Sequence, residues 1–507
     1  MSASLSEVSA STDDAAVPGS DVAPPAAQQV AEQDLRWVVT VMTWMILILL
    51  VVGASNDPDL WGHIRFGLDV IAARDLPTVD PYSFTQDRPI VYHEWLGAVL
   101  LGLAYSVGGI PAVLLLKNTV VGIAYWVIWR AWRGVHPIVS GAFLILGALG
   151  ALWVVRATRP QVWTLLGLLL TMATLQRELT APRLAVLVAI FIAWANLHGG
   201  FILGLAVLGL WCCVQGIQQW RSTGRVPWLC VITPAVVGVA TVATPYGVGL
   251  WQFLWETAGP RPTIVEWWPL WSQRPQEWLP FVVLLVVVTA FRLWPDWPAT
   301  SVILLLWCGG IFVARIAYLA VPLTVMLIVP VAAAQWPASR WHWRAPSRAA
   351  AWLLVAPLAA TALAVWLSVR TPFACLRIGD QDAQGVARLA ATQSEGRVVV
   401  WFNWGQYALW HLAPRLKVSV DGRRETLYSE ATLETQRAVA LGQPEGDHWL
   451  LEVKPEYVWL PAAFTTRRSW LAANGYRLDH DTDESYIAVR NDLPILPQAE
   501  ALGQCVK

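Results

Sequence analysis

The chain has 507 residues, 56% of them hydrophobic and 14% charged, and its basic and acidic side chains balance to zero net charge. Soluble domains carry roughly 25% charged residues, and a soluble chain this apolar would leave large patches exposed to water. An ordinary soluble protein is therefore excluded, and zero net charge gives no reason to expect nucleic acid as a partner.

In chain order, residues 1–35 are rich in Ala, Ser, Pro and acidic groups. They lack the basic start of a signal peptide and are expected to form a disordered tail before an uncleaved first span at 37–56. A polar loop follows from Asn56 to Glu94, and a loop of roughly 40 residues inside a compact bundle is usually functional. Within it, Leu60, Ile64, Leu68 and Ile71 recur at helical spacing, which predicts an amphipathic helix over 60–73 lying on the membrane surface. Residues 95–129 hold only Lys117 as a charge and read as a hairpin of two spans around Gly108, Gly109 and Pro111.

Charge-free runs at 137–155, 160–176, 199–220, 226–255, 297–314, 316–339 and 349–369 each approach or exceed the roughly 20 residues that cross about 30 Å of hydrocarbon. With shorter runs at 184–197 and 279–291, the expected fold is an α-helical polytopic membrane domain over 36–370, with about 11–13 transmembrane helices. Many of the 33 tryptophans sit at span ends, as an interfacial belt requires. From Arg370 onward the apolar character stops. Strands are expected at 397–402, 416–420, 457–460 and 486–489, and helices at 381–391 and 466–474, making 371–507 a small soluble α/β domain. The six cysteines form no C-x-x-C pair. Cys212, Cys213, Cys230 and Cys308 read as small hydrophobes in apolar runs, while Cys375 and Cys505 could pair in an oxidising compartment.

The first loop holds the densest set of reactive side chains: Asp57, Asp59, His63 and Arg65, then Asp80, Ser83 and Thr85, then Tyr92, His93 and Glu94. Two carboxylates where the first span ends could hold a divalent metal, or one could act as a base under the influence of the other. An arginine beside the headgroups suits a phosphate. The plainer alternative is that these groups cap and solvate a juxtamembrane helix, with Asp59 as its N-cap. Asn196 and His198 either line a cavity or bond helix to helix. Arg315 is expected to be a positive-inside anchor, Pro245-Tyr246-Gly247 a helix break, and Asp421-Gly422-Arg423 a turn with a solvated charge pair.

The stretch from Asp57 to Trp95, with Asp57-Pro58-Asp59 just after the first span and a surface helix behind it, resembles the first extracytoplasmic loop of the GT-C superfamily of membrane glycosyltransferases. Asp59-Leu-Trp-Gly-His63, Asp80-Pro-Tyr-Ser83 and His93-Glu94-Trp95 are similar to a bacterial group of GT-C-like proteins. So are Arg159-Pro160, Asn196-Leu-His198-Gly199-Gly200, Pro245-Tyr-Gly247, Asn403-Trp-Gly405-Gln-Tyr407 and Asp421-Gly422-Arg423.

The resemblance implies a GT-C-like bundle in the cell membrane, a bacterial plasma membrane, with the first loop extracytoplasmic. Its donor would be a polyprenyl-phosphate-linked sugar confined to the membrane lipid, and its acceptor an extracytoplasmic glycan, lipid or protein. Asp57 would be the base or carboxylate ligand, supported by Asp59. His63, Arg65, His93, Glu94, Arg159, Asn196 and His198 would bind substrate. Whether Asp57 and Asp59 hold a divalent metal, Mg or Mn, is left open. Two other classes compete: a non-catalytic scaffold on the GT-C fold, and a lipid-linked sugar transporter, which would show two similar halves that this chain lacks. One observation conflicts with the expected topology. With the first loop outside and 95–129 a hairpin, Arg130, Arg133, Arg177, Arg183, Arg221 and Arg225 also fall outside, against the positive-inside rule.

Overall fold

A computed structural model describes the protein over residues 26–52, 57, 59–257, 259, 264–338, 346–370 and 382–500. The first helix, α1 (Ala26–Val52), begins before Trp37, so residues 26–35 of the expected tail belong to it. Next, α2 (Leu60–Ala73) matches its predicted bounds, with Leu60 and Ile64 buried and Ile71 left exposed.

The third helix, α3 (Trp95–Ala131), is not the expected hairpin. Gly108 and Gly109 break it, and Gly109 adopts φ +62, a left-handed conformation open to glycine without steric cost. The part before the break, 95–107, reaches about 20 Å at 1.5 Å per residue, short of a roughly 30 Å bilayer core. It leaves and returns at the same level. Trp95 Nε1 donates to Asn196 at 2.8 Å, while Ile110 packs in one cluster with Leu60, Trp61 and Ile64. Gly67 of α2 and Gly102 of α3 meet backbone to backbone, so a Cβ on either would strike the other helix. Only 110–131 of α3 runs through the bundle.

The bundle continues with α4 (Pro137–Gly150), α5 (Leu152–Arg156), α6 (Gln161–Leu175), α7 (Ala181–Leu197), α8 (Phe201–Thr223) and α9 (Trp228–Ala240). It closes with α10 (Gly249–Glu256), α11 (Pro275–Ala290), α12 (Trp297–Phe312), α13 (Ala314–Leu327), α14 (Val329–Gln335) and α15 (Arg348–Arg370). Four described helices are long and apolar enough to cross a membrane alone, and the bent pair α13–α14 makes up to five. The apolar helices α4, α6, α7, α9, α11 and α12 are shorter, at 10–17 residues.

Contacts define two ends. At one, Arg159 pairs with Asp57, His198 with Glu94, and Phe253 of α10 stacks on His93. At the other, Trp132 donates to Val325 O at 3.1 Å, Gln176 to Met326 O at 3.4 Å and Gln335 to Phe291 O at 3.0 Å, and Val135 bridges to Pro337. Because 95–107 never leaves the first end, every later loop changes side relative to the hairpin reading. The loops with Arg130 and Arg133, Arg177 and Arg183, and Arg221 and Arg225 lie at the second end, where α1 begins. The conflict with the positive-inside rule came from the misread hairpin.

Beyond α15 comes a mixed five-stranded sheet: β1 (Gly396–Val400), β2 (Leu416–Val418), β3 (Tyr457–Pro461), β4 (Tyr476–Asp481) and β5 (Ser485–Arg490), in the order β2-β1-β3-β5-β4. β1 runs parallel to β2 and β3, while β5 is antiparallel to β3 and β4. Alternate residues feed two cores: Val398, Tyr457 and Ile487 one face, Val399, Val458 and Ala488 the other. β4 was not anticipated, because this polar edge strand, bulged between Leu478 and His480, shows no alternation. Around the sheet lie α16 (Ala383–Ala391), α17 (Gly405–Leu412), α18 (Glu430–Leu441), α19 (Pro444–Val453) and α20 (Thr465–Ala473). Cys375 and Cys505 fall outside the described residues.

The first loop clasps this domain. Residues 82–84 lie beside β2, with Val418 N donating to Tyr82 O at 2.8 Å and Phe84 N to Val418 O at 3.2 Å. They cover an edge that would otherwise expose unpaired backbone groups. Asp87 accepts from Ser429 and Thr432. The C-terminal domain therefore sits at the same end as the first loop.

Candidate active site

Asp57 and Asp59 stand at the start of α2, facing the turn between α5 and α6. Asp57 Oδ1 accepts the Asp59 N–H at 2.9 Å, and its other oxygen pairs with Arg159 Nε. The same guanidinium lies 3.3 Å from Asp59 Oδ2 and 3.7 Å from Glu266 Oε1. One cation thus serves three acids. Asp57 is almost wholly buried, whereas the Asp59 side chain keeps 27% of its exposure. Asp59 forms no N-cap bond, so the capping alternative does not account for it. Desolvation raises the pKa of both carboxyls above the ordinary range, with Arg159 acting against it.

Beside them, Glu94 is a hub for three imidazoles. His198 Nε2 lies 3.3 Å from Glu94 Oε1, His93 Nε2 3.5 Å from the same oxygen, and His63 Nε2 3.8 Å from Oε2. His198 Nδ1 accepts the Gly200 N–H at 2.9 Å, which leaves the neutral ring's proton on Nε2, towards Glu94. Burial pushes the His198 pKa down to about 3 and lowers that of His63. Burial works to raise Glu94, but His198, His93 and His63 hold it well below its usual value. At neutral pH the hub is an ionised carboxylate beside the neutral rings of His198 and His63. His93 also stacks on Phe253 at 5.3 Å.

Arg315, at the start of α13, lies 3.4 Å from His198 Nε2 and 3.6 Å from Glu266 Oε1. It belongs to this end of the bundle and is no anchor at the opposite one. Glu266 is buried, and its Oε2 has no hydrogen-bond partner among the described residues. Asn196 fills the interhelical role: its amide donates to Ile192 O and Ala243 O and accepts from Trp95. Arg65 turns to Asp69 at 2.9 Å, a carboxylate shared with Tyr82, and is not among the groups around Asp57.

The Asp421-Gly422-Arg423 turn is not solvated. Asp421 and Arg423 are buried, and Arg423 reaches Asp80 at 2.5 and 3.0 Å and Asp421 at 2.9 and 2.6 Å. Gly422 packs so closely on Asp59 that a Cβ there would overlap Oδ1, and Gly62 meets Gln406 in the same way.

With this geometry in view, comparison with known proteins is informative at the level of fold. No protein-family model matches the chain, and no curated protein matches its sequence. Among solved structures, the archaeal oligosaccharyltransferase AglB of Archaeoglobus fulgidus, in complex with an inhibitory peptide and a dolichol-phosphate, aligns with a TM-score of 0.51 at 12% identity, over 90% of this chain and 75% of that one. The apo form of an Archaeoglobus fulgidus oligosaccharyltransferase aligns with a TM-score of 0.50 at 10% identity, over 91% of this chain and 75% of that one. The chain shares its overall fold with these oligosaccharyltransferase structures. These identities speak for the fold alone, which is that of a polytopic membrane protein with a C-terminal domain.

A divalent metal does not fit the acids as they stand. Both Asp57 oxygens are engaged, and Arg159 occupies the space that Asp57, Asp59 and Glu266 would share with an ion. Among the described residues no three His, Cys, Asp or Glu side chains could hold one. Sequence reasoning singled out Asp57, Asp59, Arg159 and the His-Glu set, but missed Glu266, Gly422 and Gln406. For Glu266 a signal existed, a lone acid among tryptophans between apolar runs. The other two lie inside the motifs Asp421-Gly422-Arg423 and Asn403-Trp-Gly405-Gln-Tyr407, but the sequence does not say what they touch.

Proposed function

We propose that the protein is a membrane glycosyltransferase moving a sugar from a polyprenyl-phosphate-linked donor to an extracytoplasmic acceptor. The observation that carries this reading is the partly open Asp59 carboxylate, backed by Asp57 and Arg159, beside an Arg315–His198 pair at one end of a GT-C bundle. The AglB structure was solved with an inhibitory peptide and a dolichol-phosphate, and a lipid phosphate is the class of leaving group this site would receive. Asp59 takes the proton of the acceptor nucleophile as it attacks the anomeric carbon. The bond from that carbon to the phosphate oxygen breaks, and Arg315 and His198 meet the charge on the departing lipid phosphate. Asp57 holds Arg159 beside Asp59. The basic loops at the opposite end support a cytoplasmic N-terminus, which puts the site outside the cytoplasm.

The test is transfer from radiolabelled polyprenyl-phosphate sugars by the purified protein in lipid bilayers. Asp59→Asn should lower kcat by about 10²–10⁴-fold, the usual contribution of a general base, while the protein stays folded. Full activity in that variant would end the assignment. A wild type inert towards every donor, with the variant normal in cells, would favour the scaffold reading.

A further inference from the structure

The C-terminal domain contributes a turn that the reaction scheme above does not use. Asp421, Gly422 and Arg423 follow β2, the strand to which residues 82–84 are paired. Arg423 forks between Asp421 and Asp80, and Tyr428 donates to Asp421 at 2.9 Å. Asp80 in turn accepts the Ser83 N–H at 2.7 Å, in the segment that clasps the sheet. Breaking a buried, fully bonded set of this kind leaves an unpaired charge, so its geometry is rigid. What it holds is Gly422, with its Cα against the Asp59 carboxylate and Gln406 at its side. Gly422 does not occupy the left-handed region, so the backbone conformation does not demand glycine. The closeness of Asp59 does.

We infer that the Asp421-Gly422-Arg423 turn is a positioning device: it presses the C-terminal domain against Asp59 and fixes that carboxylate's rotamer towards the acceptor side. The C-terminal domain therefore completes the active site, and each domain supplies one wall of it. The inference rests on the glycosyl-transfer reading only in the meaning given to Asp59; the geometry is independent of the reaction.

Two variants of the full chain in nanodiscs separate positioning from simple docking, with amide hydrogen exchange and transfer kinetics as readouts. Gly422→Ala keeps the Arg423 ion pairs and crowds chiefly Asp59, with a lighter contact on the Gln406 amide. It should speed exchange over 57–64, leave 80–88 and 416–419 as in the wild type, and lower kcat by about 100-fold, the cost of an ångström-scale misplacement, with donor KM unchanged. Arg423→Met should loosen 57–64 and 80–88 together. If Gly422→Ala leaves both kcat and exchange over 57–64 unchanged, or moves 80–88 equally, the turn does not position Asp59 and the inference falls. If the wild type transfers no sugar, the functional reading fails, and the exchange pattern alone decides the positioning.

Discussion

Asp57 and Asp59 are two residues apart, yet their surroundings divide the work. Asp57 spends one oxygen on a backbone N–H and the other on Arg159, while the Asp59 side chain keeps 27% of its exposure with Gly422 packed against one face. The raised pKa of Asp59 has a kinetic consequence. A base works only when ionised, so activity is full above its pKa and falls as pH drops through it. The acid limb of the kcat profile should therefore lie above the roughly 3.9 of a free aspartate, measurable by initial rates across pH 4–9, a range set by about the titration span of carboxyl and imidazole groups. A limb at or below that ordinary value would remove Asp59 as the base. These two acids were legible from their place after the first span. Arg65 pairs with Asp69, four residues on, and not with either of them.

At the scale of elements, the end that carries the acid pair is built from helix termini. Lys117, buried inside α3, donates to Val51 O of α1 at 2.8 Å and to Val155 O of α5 at 3.1 Å, and Arg156 donates to Leu50 O. The negative ends of two helices thus converge on one ammonium, and the chain leaves those ends towards Asp57 and Arg159. A hydrogen bond to a charged group contributes about 1.5–3 kcal/mol. Lys117→Met should therefore speed amide exchange at the C-termini of α1 and α5 by roughly tenfold or more, with α8 and α9 unaffected. Unchanged exchange there would mean that the helix ends are held by packing alone. The run 95–129 is apolar apart from Lys117, but the break at Gly109 divides it, and 95–107 packs along α2 instead of crossing.

At the scale of the molecule, one surface-lying segment sets the topology. With 95–107 held against α2, the basic loops gather at the end where α1 starts, and the C-terminal domain joins the first loop at the other. Cysteine placed at Ser222, in the α8–α9 connection, should resist a membrane-impermeant maleimide in intact cells and react after permeabilisation. Cysteine placed at Glu445, on the C-terminal domain, should react in both. The reverse pattern would invert the orientation.

Composition and run length alone establish the membrane class, because the hydrophobic effect acts on any sequence this apolar. Local spacing alone establishes α2, since its buried stripe is a property of consecutive residues. The position of the acid pair, just after the first helix, is legible for the same local reason. Which acids share Arg159, why Arg315 joins them, and why Gly422 must be small were decided only by the tertiary structure. These facts are contacts between residues as far apart as 57 and 159 or 59 and 422. A linear sequence carries no distance between such positions until packing brings them together.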